Sequence, residues 1–138
     1  MTSNILLQRI NQQQFLRNLR NKFLSLHSCL LQTERIAYEQ VRGRVTSAEL
    51  LRLVIDDEQF AWLHRISELV VQIDEMLAAD EPISLDDIQN LITHAQRLIV
   101  PSELGNAFAK KYYAALQSEP SVVMAHADLS QLLASKIS

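Results

Sequence analysis

The chain has 138 residues, 48% of them hydrophobic and 21% charged, with a formal net charge of −3. That balance excludes wholesale disorder, and the length suits one hydrophobic core but not two ordinary domains. With only 2 glycines and 3 prolines, glycine-dependent folds and phosphate cradles are excluded, and helices joined by proline and polar caps are predicted.

The first predicted element is a helix over 4–42, closed by Gly43 just beyond its end. Its apolar stripe is Ile5, Leu16, Leu19, Phe23, Leu26, Leu30, Ala37 and Val41, interrupted by Gln12 and Thr33. Steps of three and four from Leu16 to Leu30 make a heptad-like seam. Such a helix is about 58 Å long, more than a compact domain of this size spans. It either breaks near Gln12–Gln14 or projects toward a partner. A second row, Leu6, Ile10, Leu24, Leu31 and Tyr38, runs roughly 100° around the helix from the first. Arg17, Arg20, Arg35 and Arg42 flank it. Two rows require neighbours on two sides, within a bundle or in another copy.

Thr46-x-x-Glu49 forms a capping box before a short helix containing Leu50, Leu51, Val54 and Ile55. Asp56 and Asp57 then cap a helix over Glu58–Ala79 that buries Trp62, Ile66, Leu69, Val70, Ile73 and Leu77, ahead of Pro82. Ser84-x-x-Asp87 opens a helix to Val100, with Leu85, Ile88, Leu91, Ile92, Ala95, Leu98 and Ile99 on one face. Pro101 and Ser102 lead into a helix over Glu103–Ser118 carrying Leu104, Phe108, Tyr112 and Leu116. After Pro120 a last helix, Ser121–Ser135, turns Val122, Leu129 and Leu133 inward. No strand-period run occurs. The predicted fold class is all-α: one domain over 1–138, a bundle of five to six helices with a long N-terminal helix.

Charge is unevenly divided. Residues 1–44 hold seven Lys/Arg against Glu34 and Glu39, a net of +5, while 45–138 hold six bases against fourteen acids, a net of −8. The basic helix either packs beside the acidic bundle, within one chain or across a dimer, or serves as an arm for nucleic acid or an anionic surface. Its bases are spread along the helix, so nucleic acid is the less favoured partner. The lone Cys29 cannot form an intrachain disulfide. No signal-peptide pattern and no apolar stretch of about 20 residues occurs, so no membrane insertion and a cytoplasmic location are expected.

Several chemistries lack their residues. There is no Glu-x-x-His pair for a di-iron bundle, no Cys/His set for zinc, and no Glu-x-x-Glu or Glu-x-x-Asp pair for magnesium. His64, Glu68 and Glu75 share one helix face, the nearest approach to a metal site, and the favoured reading is a solvated face with His64–Glu68 as an i,i+4 pair. His27 and His126 fall on or beside apolar faces, as buried acid/base groups or as core histidines. A helix-turn-helix drawn over 84–118 offers only Lys110 and Lys111 to DNA phosphates. No catalytic residue, metal ligand or cofactor is assigned.

The block Phe60-Ala61-Trp62-Leu63, Ser67-Glu68-Leu69-Val70 and Ile73-Asp74-Glu75 resembles one found in small uncharacterised bacterial helical proteins. The resemblance implies a bacterial, all-helical protein and transfers no functional residue. The expected function is therefore that of a non-enzymatic interaction protein. It self-associates as a homodimer through Leu24, Leu31 and Tyr38, rimmed by Arg17, Arg20 and Arg35, or docks an unidentified protein. The alternative is a small helical enzyme or ligand carrier with a bundle pocket around Trp62, Tyr112 and His126. A third reading places nucleic acid or an anionic surface on the basic N-terminal helix.

Overall fold

Six α-helices and one 3₁₀ segment build the chain, in a computed structural model that describes residues 2–137. Helix α1 spans Thr2–Arg42 without interruption, so no break occurs at Gln12–Gln14. Gln12 is itself buried on the inner face, and no proline or glycine falls within the helix to disrupt it. Gly43 ends it at φ +86°, a conformation that suits a residue without Cβ, and donates its N–H to Glu39 O at 2.8 Å. Two side chains clamp the turn that follows. Glu39 accepts the Val45 N–H, and Arg35 donates to Val45 O, each at 2.9 Å.

Helix α2 spans Ser47–Asp56, with Thr46 Oγ1 accepting the Glu49 N–H at 3.1 Å. The Glu49 carboxylate accepts from the Thr46 hydroxyl, so only half of the reciprocal box forms. The predicted helix over Glu58–Ala79 is divided in two. Glu58–Leu63 is 3₁₀, capped by Asp57, and helix α3 occupies His64–Ala78. The tighter winding stacks Phe60 directly over Leu63, and both are wholly buried.

Helix α4 spans Leu85–Leu98 and is capped by Ser84, while Leu85 at its first position faces solvent. Helix α5 spans Ala107–Ser118, four residues shorter at its start than the predicted Glu103–Ser118. Gly105 sets that boundary, because a Cβ there would lie 2.9 Å from Ser102 Cβ and 3.0 Å from Ala109 Cβ. Asn106 caps α5 instead, and Leu104, placed within the predicted helix, lies outside it and is 91% exposed. Helix α6 spans Pro120–Ile137, opening on a proline that needs no N–H acceptor.

α1 is the common wall. Leu16, Leu19, Phe23, Leu26 and Leu30 are fully out of water, packed against α3 and α6, while α4 and α5 pack on α6. The stripe ends sooner than its sequence pattern: Ala37 is exposed, as are Ile5 at 67% and Val41 at 81%. α6, at 18 residues, is only about 27 Å long against about 61 Å for α1, so it does not extend along the whole stripe. The second row is covered from its C-terminal end. Tyr38 packs its ring 5.9 Å from Phe60, Leu31 is partly buried on the core, and Leu24, Ile10 and Leu6 are exposed. No helix among the described residues is long and apolar enough to cross a membrane.

Truncating the seam should be costly and truncating the misassigned Leu104 should not. Leu26→Ala is expected to lose about 2–5 kcal/mol in urea denaturation, and Leu104→Ala to stay within about 0.5 kcal/mol of wild type.

Candidate functional site

Trp62, Tyr112 and His126 are brought together by three different elements. α5 sets Phe108 and Tyr112 one turn apart on its buried face; the 3₁₀ segment brings Trp62 to one end and α6 brings His126 to the other. The rings form a line: Trp62–Phe108 at 5.4 Å, Phe108–Tyr112 at 5.7 Å and Tyr112–His126 at 5.5 Å. Phe108 therefore fills the space where a pocket was expected. The open space lies beyond His126, a cleft of about 300 Å³ walled by Gln96, Ile99, Pro101, Ser130 and Leu133.

The hydrogen bonds fix the chemistry of that cleft. The Tyr112 hydroxyl lies 2.5 Å from His126 Nδ1 and has no other acceptor, and burial pushes the phenol above its ordinary range. Tyr112 therefore donates, and the His126 proton sits on Nε2, 3.4 Å from Ser130 Oγ. Burial also lowers the His126 pKa, which favours the neutral ring. With one nitrogen accepting and the other protonated, His126 has no free lone pair to take a proton from Ser130. The C-terminal end of α4 borders the same cleft, and its carbonyls disfavour a developing oxyanion. Ser130, His126 and Tyr112 are thus a packed hydrogen-bond chain that presents a donor to the cleft, not a nucleophilic relay.

The expected interface residues divide. Arg20 pairs with Asp74, and Arg35 is held between Val45 O and Glu39, so both serve contacts inside the chain. Arg17 and Leu24 face solvent, whereas Leu31 and Tyr38 are half-buried. The basic helix meets the acidic bundle through Arg20–Asp74 and Lys22–Asp128, and Lys111 returns the pairing to Glu34. These pairs are partly exposed and worth about 0–1 kcal/mol each. Lys111 also donates to Gln59 O and lies 5.7 Å above the Trp62 ring, which removes it from the DNA-facing role drawn for it.

His64 lines one groove with Glu68 and Glu75, but its Nε2 is committed as a donor to Val54 O on α2. His27 Nε2 lies 3.4 Å from Ser67 Oγ; burial, and secondarily the charge of His64, lower its pKa. No group of three His, Cys, Asp or Glu among the described residues is placed to hold a metal.

A second cavity escaped the sequence reading. Arg65 of α3, His94 and Arg97 of α4 and Asn106 at the head of α5 wall a space of about 250 Å³. The His94-x-x-Arg97 spacing puts two of these on one helix face, but nothing in the sequence joins them to Arg65. Comparison with protein-family models, curated proteins and solved structures finds no match to this chain.

Acidification tests the His126 assignment. His27 and His126 both have folded pKa values below 6.5, so the unfolded chain takes up more protons as pH falls through that value. Stability present above about pH 6.5 is lost below it. The urea midpoint should be lower at about pH 5.5 than at about pH 7.5, with a smaller drop in His126→Gln. An unchanged drop in that variant would contradict the assignment.

Proposed function

We propose that this chain is a non-enzymatic helical interaction protein that self-associates through the open N-terminal part of α1. The observation that carries the reading is the run Ile5, Leu6, Leu7 and Ile10, all at least half exposed on a helix that outreaches its neighbours. Ile5 and Leu6 line a groove of about 330 Å³ with Arg9, Pro82, Ile83 and Leu85. Monomeric proteins seldom leave contiguous apolar surface of this kind uncovered.

A second copy is the occupant that the charges favour. On α1 the groove is edged by Arg9, which donates to Asp80 O, and exposed Asp80, Glu81, Asp86 and Asp87 flank its Pro82–Leu85 side. None of these acids forms an ion pair with a described residue. A two-fold axis sets one patch against itself, so a patch with a basic edge and an acidic edge is complementary to its own copy. The interface expected at Leu24, Leu31 and Tyr38 thereby moves toward the N-terminus, because the chain's own 3₁₀ segment packs against Tyr38.

Sedimentation velocity distinguishes the outcomes. Wild type should run as a dimer at micromolar concentration and Leu6→Glu/Ile10→Glu as a folded monomer, with unchanged circular dichroism because both sites are exposed. A monomeric wild type, or a double variant that still dimerises, overturns the reading.

A further inference from the structure

In the acid-rich part of the chain, a cavity among the described residues draws cations together without carboxylates. Arg65 approaches it from α3 and Arg97 and His94 from α4, and no Asp or Glu lines it. Neither arginine forms an ion pair with a described residue. Glu68, one turn along α3 from Arg65, lines a different groove with His64, Gln72 and Glu75. Residues 45–138 hold fourteen acids against six bases, so counter-charges are plentiful nearby, yet none is placed here. Both arginines are solvent-accessible there, so an anion entering the cavity meets cationic side chains from two helices with no competing carboxylate in its wall.

Two further features organise the cavity. Arg65 stacks over the Phe108 ring, 5.9 Å from its centroid, which restrains the guanidinium at the cavity wall. At the head of α5, Asn106 Oδ1 takes the Ala109 N–H at 2.8 Å, and the Ala107 and Phe108 N–H groups have no acceptor within the chain. Those free donors add partial positive charge on the same side. Arg97, in the last turn of α4, also suits its own helix dipole; Arg65, in the first turn of α3, has no such reason to be there.

We propose that this cavity binds a small phosphate-bearing anion, inorganic phosphate or a phosphomonoester, held between Arg65 and Arg97 with His94 and the head of α5 as further donors. A planar carboxylate is satisfied by one guanidinium fork. A tetrahedral phosphate offers separate oxygen pairs to two forks arriving from different helices. The site is independent of self-association, since none of its residues belongs to the apolar end of α1.

The test is an amide and arginine-Nε NMR titration of the full chain at low ionic strength. The probes are inorganic phosphate, glycerol 3-phosphate, acetate and a short DNA duplex. Both phosphates should produce saturable shifts at Ala107, Phe108, Arg65 and Arg97, with acetate weaker; tighter binding of the ester than of the free ion identifies an ester ligand. Arg65→Gln/Arg97→Gln should weaken binding by about tenfold or more, Arg65→Lys should fall between, and Arg17→Gln should bind as wild type. The proposal fails if neither phosphate saturates, if acetate binds as well, if only the duplex binds, or if the double variant is unaffected.

Discussion

The fold depends on five side chains of α1, Leu16, Leu19, Phe23, Leu26 and Leu30, being removed completely from water. Each contributes on the order of 1.5–3 kcal/mol by burial, and together they position α3 on one side and α6 on the other. α4 and α5 are then located at second hand, by packing on α6. Two cavities with polar walls lie in this outer layer, at the junctions of α4 with α6 and of α3 with α4 and α5. The central helix thus contributes rigidity, and the polar groups gather where shorter elements meet.

What was legible in the sequence was whatever depends on local spacing. The Leu16–Leu30 seam, the Thr46 and Ser84 caps and the Gly43 stop could each be read, since neighbours within one turn decide them. Ile5, Ala37 and Val41 continue the same pattern, but their burial depends on how far other helices extend. The 3₁₀ winding of Glu58–Leu63 was hidden because a pair three apart, Phe60 and Leu63, suits both windings. Leu104 was misplaced because the close packing of Gly105 against Ser102 and Ala109 arises in a turn that the sequence shows only as Pro-Ser and Gly-Asn.

The same division holds for the chemical groups. Trp62, Tyr112 and His126 belong to one row of rings, and it is Phe108, outside the expected set, that shows those rings filling space. The arginine-lined cavity had no signature, because Arg65 and Arg97 meet only through the relative placement of two helices. The division of charge between the two parts of the chain finds a partial answer in the fold, where α1 lies along acidic partners at Asp74 and Asp128.

The overhang of α1 has a consequence for how its end behaves. A free peptide of some ten residues scarcely forms helix, because nucleation is the costly step. Here the turn around Ile5–Ile10 grows from a helix already nucleated by its packed middle. Its order is thus borrowed from the core, by propagation from turns that are already packed. A second copy seated there, as proposed, would clamp those turns, and its docking would then be coupled to helix order at that end.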